Sequence, residues 1–310
     1  MNRRASVLVC FLLGAIGAAN QHAQAANLHV NCDKHGSISQ ALSLLAKTNP
    51  LGPNRVIVLG GCNENLVIRS MDRLTLVTET GASITDRSEG TLAVVDIEDS
   101  QRVTLQGFTI KGGAQGILCS TASLCYLTGN TVQAAVAHGV SVLAGSNAFL
   151  ESNVIQNNGG RGSVADRAAR VFSSNDIFQG NATEGVAVFV SYFEASNSSI
   201  LNNAVGIKVG TATLRLLGTT ISGNGGDGVT LLAGTSAVFL FSTITGNGGN
   251  GVYLNGGSLA AFLDTGVTGN KSGLDVDCEP QFPIAGGVET TGGITNCVEP
   301  ANKSQPKTMK

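Results

Sequence analysis

Thr220-Ile221-Ser222-Gly223-Asn224-Gly225-Gly226-Asp227-Gly228-Val229-Thr230-Leu231 returns 23 residues later as Thr243-Ile244-Thr245-Gly246-Asn247-Gly248-Gly249-Asn250-Gly251-Val252-Tyr253-Leu254. The unit is a large apolar residue, an asparagine three positions on, a glycine, and an apolar-x-apolar triplet. Extended in both directions, its first position becomes the column Ile110, Val132, Ile155, Phe178, Ile200, Ile221, Ile244 and Val267, spaced by 21 to 23 residues. Five residues earlier runs a second column, Leu105, Leu127, Leu150, Ser173, Ala195, Leu216, Phe239 and Phe262, weakened at Ser173 and Ala195. The glycines are Gly116, Gly139, Gly162, Gly185, Gly206, Gly228, Gly251 and Gly273. A fixed period of this length overrides any reading of single elements.

Each glycine precedes a short alternating segment such as Ile207-Lys208-Val209, which reads as a strand with one face buried. No coil can bury its apolar face alone, so the array is stable only as a capped stack. Asn158, Asn181, Asn203, Asn224, Asn247 and Asn270 form a further column whose amides can hydrogen-bond from coil to coil at strand spacing. These asparagines are therefore read as structural, and the sequons at Asn181 and Asn270 are not read as glycan sites. The period is too long for 18-residue left-handed coils. A leucine-rich repeat would place leucines or a helix where this chain has Gly-Asn-Gly-Gly.

Composition agrees. Charged residues make up 13% of the chain, apolar residues 42%, and there are 41 glycines, a poor recipe for helical packing. Arg3 and Arg4, the apolar run Ala5 to Ala19 and Ala23-Gln24-Ala25 form a secretory signal over residues 1–25. Its removal leaves 17 basic and 21 acidic residues, which excludes the footprint of a nucleic-acid or anionic-membrane binder. No later stretch is apolar enough to span a bilayer. Six cysteines remain, and an oxidising compartment together with a solenoid's near-neighbour contacts favours Cys32–Cys62, Cys119–Cys125 and Cys278–Cys297. No zinc motif, metal-ligand spacing, phosphate loop or other cofactor signature is present.

The Ile-x-Gly-Asn-Gly-Gly-x-Gly-Val-x-Leu coils resemble the right-handed parallel β-helix repeat of pectate-lyase-like proteins over roughly residues 55 to 277. Ser37-Ile38-Ser39-Gln40-Ala41-Leu42 followed by Val56-Ile57-Val58-Leu59 resembles the usual start of that family, a short helix plugging the first coil and then the first strand. The expected fold is thus an all-β solenoid of about 22–23 residues per coil with a short N-terminal capping helix. Its divisions are a cap over 26–55, the β-helix over 56–277, a disulfide cap over 278–298 and a loose tail over 299–310.

Candidate chemistry falls on the central coils. His138, Arg161 and Glu184 take equivalent places in successive coils, near Asp166, Arg167, Asp176 and Glu151. The coil that carries Asp166 and Arg167 also breaks the repeat, with Ser163 where an apolar residue belongs, and rule-breaking in a regular array is where sites concentrate. Asp166 and Glu184 are the candidate carboxylate pair for glycoside cleavage, which needs two carboxyls about 5 to 10 Å apart. Arg161 and Arg167 are candidate partners of an acidic glycan. Lys111, Gln133, Gln156 and Gln179 form a candidate ligand-binding row. The chain lacks the Asn-Thr-Asp, Asp-Asp and Gly-His-Gly set of polygalacturonases, the Arg-x-Pro-x-x-Arg of pectate lyases and the Asp-Pro-His-Asp of alginate epimerases. It has no Trp and three Tyr, and most of its eleven Phe are expected inward, so an aromatic sugar platform is not expected.

Two functions follow from the sequence. One is a secreted, non-catalytic solenoid, extracellular or periplasmic, that binds an extracellular polysaccharide or cell-surface component or acts as a spacer. The other is a polysaccharide lyase or glycoside hydrolase with its catalytic groups among His138, Arg161, Asp166, Arg167 and Glu184. The sequence sets neither the ligand's identity nor the oligomeric state.

Overall fold

The computed structural model describes residues 25–271, 274–279 and 293–297; nearly all of the expected leader, the tail, Ser272 and Gly273 lie outside them. Consecutive strands join three parallel sheets in turn, so that neighbours within a sheet stand one coil apart. The first sheet has eleven strands, from Ala26–Asn31 to Leu259–Leu263. The second has ten short strands, from Gly61–Asn63 to Gly266–Thr268, and the third has ten, from Leu66–Arg69 to Val276–Cys278. The winding is right-handed, the sense that strand twist favours between parallel neighbours.

The apolar columns line the interior. Ile110 pairs with Val132, Val132 with Ile155, and the column continues to Val267 with every member buried. Ile84 and Cys62 extend it by two coils. Burying one such side chain contributes about 1.5–3 kcal/mol, and the gain is realised only when the next coil closes over it. Where Ser173 and Ala195 shrink the first-sheet column, the buried rings of Phe178 and Phe193 pack edge to face at 6.3 Å. The glycine column exists for space: a Cβ at Gly228 would lie 2.6 Å from Gly251 O, 2.7 Å from Ile244 Cγ2 and 2.8 Å from Asn247 Nδ2.

The corner between the second and third sheets holds the asparagine ladder. Asn158 Nδ2 donates to Asn181 Oδ1 at 2.9 Å, the pattern repeats down to Asn270, and Asp275 Oδ1 closes it by accepting from Asn270 Nδ2 at 2.9 Å. The other two corners carry ladders that the sequence pattern did not reveal. Between the first and second sheets stand Asn130, Asn153, Asp176, Ser198, Thr219, Ser242 and Thr265; between the third and first stand Ser100, Ser123 and Ser146, then Thr235 and Ser258. In each, a side-chain oxygen accepts a backbone N–H from the preceding coil, satisfying a group that strand pairing leaves open.

One of these rungs corrects the sequence reading. Asp176 does not join the candidate chemistry around His138, Arg161 and Glu184: it is fully buried, with Oδ1 accepting from Asn153 N at 2.7 Å and Oδ2 from Ser173 Oγ at 2.6 Å. Burial pushes its carboxyl above the ordinary range, more than its hydrogen bonds lower it.

The N-terminal end is closed by a helix, Ile38–Thr48, which buries Ile38, Leu42 and Leu45 over the open coil. Ser37 caps it, and Glu64 from the coil beneath accepts from Ile38 N at 2.7 Å, Ser39 N at 3.1 Å and Ser37 Oγ at 2.9 Å. A carboxylate at a helix N-terminus meets unpaired N–H groups and the positive end of the dipole. The first strand is Ala26–Asn31 rather than Val56–Leu59; it pairs in parallel with Asn54–Leu59, so regular sheet begins before the helix. The three expected disulfides are formed.

Candidate functional site

Around the outside of the third sheet, His138, Arg161 and Glu184 come together in one row. Arg161 N donates to His138 Nδ1 at 3.3 Å, and Arg161 Nε to Glu184 Oε2 at 2.9 Å. Lys208 Nζ lies 4.0 Å from Glu184 Oε1, and the Arg161 guanidinium sits 5.4 Å from the centre of the Phe189 ring. The outward positions Ser141, Val164 and Ala187, in register on the same face, are buried.

The electrostatics follow from this pairing. Burial alone would raise the Glu184 carboxyl, but the hydrogen bond and charge of Arg161 outweigh it and hold the group below its ordinary range. His138 is pushed down by burial and by the Arg161 charge, so its imidazole is neutral at pH 7.

Asp166 is not a partner of Glu184. It pairs in register with Phe189, five residues along the strand from Glu184. At about 3.3 Å per residue along the strand and about 4.8 Å across, the two backbones stand about 17 Å apart, too far for their carboxyls to form a hydrolytic pair. Asp166 turns instead to its neighbour, accepting from Arg167 N at 2.7 Å with Arg167 Nε 3.8 Å from Oδ2. Ser163 points inward, and its Oγ and that of Ser141 are buried with no hydrogen-bond partner in the described structure. Lys111, Gln133, Gln156 and Gln179 are in register on the second sheet. The three glutamines hydrogen-bond to each other, Gln156 Nε2 to Gln133 Oε1 at 3.0 Å and Gln179 Nε2 to Gln156 Oε1 at 2.8 Å.

Among the described residues, the one cluster with metal-ligand geometry is Cys32, Cys62 and Glu64. Its two sulfurs are joined in a disulfide and its carboxylate caps the helix, so it is not a metal centre. No helix among the described residues is long and apolar enough to cross a membrane.

The outer face of the first sheet carries what sequence reasoning missed. Thr104, Tyr126, Phe149, Phe172, Glu194 and Arg215 follow one another in register down its centre. The Tyr126 and Phe149 rings lie 5.3 Å apart and 14° from parallel; Phe149 and Phe172 lie 5.0 Å and 12° apart; Tyr192 tilts against Phe172 at 5.5 Å. Phe108, Phe178, Phe193, Phe239 and Phe262 are buried as expected, but Phe149 and Phe241 are exposed and Phe172 and Phe189 are half-buried on outward faces, so an outward aromatic row exists where none was expected. The signal was present in the sequence, since Tyr126, Phe149 and Phe172 each precede a member of the inward column by one residue.

Beside the rings is a hollow of about 200 Å³ lined by Phe149, Phe172, Glu151, Glu194, Ser174 and Ser196 among others. Glu194 is held in place, accepting from the Tyr192 hydroxyl and from Arg215 Nη1 at 3.2 Å. The Glu151 side chain is exposed, and its carboxylate has no hydrogen-bond or ion-pair partner among the described residues.

Solved structures with the same architecture include the A-module of the Azotobacter vinelandii mannuronan C-5 epimerase AlgE4, 14% identical, with a TM-score of 0.52 over 77% of this chain and 82% of that one. The enzymatically active domain of bacteriophage CBA120 tailspike protein 2 is 10% identical, with a TM-score of 0.65 over 89% of this chain, which spans about half (51%) of its length. The periplasmic alginate epimerase AlgG is 12% identical, with a TM-score of 0.50 over 83% of this chain and 82% of its own. At these identities the likeness is one of fold. No protein of curated function matches the sequence. A family model described as the right handed beta helix region matches residues 62–205 and 115–272, more than half of the chain. By its repeat, its three-sheet winding and this match, the chain belongs to the right-handed β-helix family.

Proposed function

We propose that this protein is a secreted solenoid that binds an extended polysaccharide and does not cleave it. The observation that carries the non-catalytic half is the state of Glu184, locked between Arg161 at 2.9 Å and Lys208 at 4.0 Å. Glycoside cleavage needs a carboxyl raised towards neutrality to act as acid and a second carboxylate across the bond. Glu184 is held low instead, and register carries Asp166 away from it. The imidazole of His138 is half-buried and occupied at Nδ1 by a backbone N–H.

The polysaccharide class is supported by the shape and by the neighbours. A rod with repeating outward rows offers equivalent contacts at about 4.8 Å intervals, which suits a polymer better than a compact metabolite. Two of the similar folds belong to proteins named as epimerases of mannuronan and alginate. Three disulfides fit an oxidising compartment, extracellular or periplasmic.

The test is affinity electrophoresis of the purified protein in gels cast with alginate, polygalacturonate and neutral glucans or galactomannan. The same mixtures are followed for unsaturated products by ultraviolet absorbance and for new reducing ends. Retardation by at least one polymer without either product is expected. Product formation would overturn the non-catalytic half, and unretarded migration in every gel would sink the binding reading altogether.

A further inference from the structure

The hollow on the outer face of the first sheet has a composition that selects its ligand. The stacked pair Phe149 and Phe172 and, next in the same register column, the Glu194 carboxylate line one side; the adjacent column offers the Glu151 carboxylate and the Ser174 and Ser196 hydroxyls. We infer that this hollow is a binding subsite for one ring of a neutral polysaccharide lying along the first sheet. The inference rests on the polysaccharide reading above and goes beyond it in naming the place and the charge class of the sugar.

Three features argue for this occupant. First, the surface is split as a pyranose is split. Its C–H groups can cover an aromatic wall, while its hydroxyls need acceptors, and an ionised carboxylate accepts more strongly than a neutral group. Second, one acceptor and the apolar wall are set in advance. Glu194 is fixed by the Tyr192 hydroxyl and Arg215, and the rings are fixed by each other, so little side-chain entropy remains to be lost on binding. Glu151 has its hydrogen-bonding capacity unspent. Third, charge excludes the alternative. Two carboxylates against the single Arg215 leave the hollow negative, which repels an acidic sugar; Arg170 stands on the other side of the ring row, paired in register with Tyr192. At about 200 Å³ the hollow is smaller than the roughly 300 Å³ lower bound of drug-sized sites and takes a single ring. The row above it, Tyr126 and then Thr104, continues at the coil spacing of about 4.8 Å, close to the length one pyranose adds to an extended chain.

Binding is measured by affinity electrophoresis and titration calorimetry with hydroxyethyl cellulose and galactomannan as neutral probes and alginate and polygalacturonate as acidic ones. The proteins compared are the wild type, Glu151→Gln, Phe149→Ala and the control Arg161→Ala/Arg167→Ala. The wild type should be retarded by a neutral probe, and both hollow variants should weaken that binding at least tenfold while the control leaves it within twofold. Thermal melts accompany each variant; if Phe149→Ala fails to fold, Glu151→Gln, which alters an exposed and unpaired side chain, decides the matter alone. Absence of binding to either neutral probe, or neutral-probe binding that Glu151→Gln leaves unchanged, overturns the inference. If an acidic probe binds and depends on Arg161 and Arg167, this subsite falls while the polysaccharide reading stands; if no probe binds, both fall.

Discussion

The outer face of the third sheet and the outer face of the first sheet carry similar residue types and put them to different uses. On the third, Arg161, Glu184, Lys208 and Phe189 spend their charge and ring surface on one another, and Ser141, Val164 and Ala187 on the same face are buried. On the first, the rings pack only among themselves and Glu151 is left unpaired beside a hollow. Chemical variety alone therefore does not mark a site. A group whose hydrogen bonds are already made supports the fold, and a group held in place with capacity to spare is available to a ligand.

The largest expected effect lies beneath both faces and sets the scale for them. Ile244→Asp puts an unpartnered charge into a fully buried column and should abolish folding or secretion, seen as loss of soluble protein and of the far-ultraviolet strand signal. Thr230→Ala, on the outward side of the neighbouring coil, should shift stability by well under 1 kcal/mol. Equal damage from both would mean that the inner and outer faces are misassigned.

Next in size is the seam itself. Arg161→Ala leaves Glu184, 8% exposed, without its main partner and should cost about 1–3 kcal/mol by urea denaturation. Arg161 is thus not interchangeable with Arg167, whose side chain is 74% exposed and whose removal should cost under about 0.5 kcal/mol. A seam variant as harmless as the Arg167 variant would erase the contrast between the two faces.

Phe149→Ala removes one ring from the outer stack and should cost about 0.5–1.5 kcal/mol for each of its two stacking contacts, towards the low end because the ring is exposed. Glu151→Ala beside it should be neutral to stability. A large loss from Glu151→Ala in denaturation would show that its carboxylate is structural, and the first sheet would then resemble the third.

The smallest effects are those of pH, and they run in opposite directions. Glu184 is lowered in the folded state, so its contribution is present above the ordinary carboxylate range and is lost as pH falls through its folded value. His138, also lowered, adds to the same acid limb through its own range. Asp176 is raised by burial, so the fold is favoured below the ordinary carboxylate range and loses that contribution as pH rises through the folded value. Asp176→Asn, which restores the residue found one coil earlier at Asn153, should flatten the melting temperature between mildly acidic and neutral pH. Glu184→Gln should instead flatten the acid limb. An unchanged pH profile in both variants would place the titrating groups elsewhere.

What could be read from one strand of letters was whatever repeats with constant identity. The isoleucine, glycine and asparagine columns recur every 21 to 23 residues, and the demand that they bury apolar surface, leave space and pair amides in every coil specifies the winding, the inward faces and the near-neighbour disulfides. The two further corner ladders escaped because Asn, Asp, Ser and Thr all supply the one oxygen that the preceding backbone N–H requires, so chemistry is retained while the letter changes. The outward faces escaped for another reason. Whether Glu184 is a free acid or half of an ion pair, and whether Phe149 fills the core or walls a hollow, depends on rotamers and on residues 23 to 47 positions away that only the stacking of coils brings within a few ångströms. The order of letters is enough to specify the solenoid, because each coil's interior must answer to the same geometry as the next. Which polar groups are spent and which are left over was settled by contact in the folded stack, because outward rows such as Gln133, Gln156 and Gln179 hold for a few coils and then change, and their partners come from neighbouring coils.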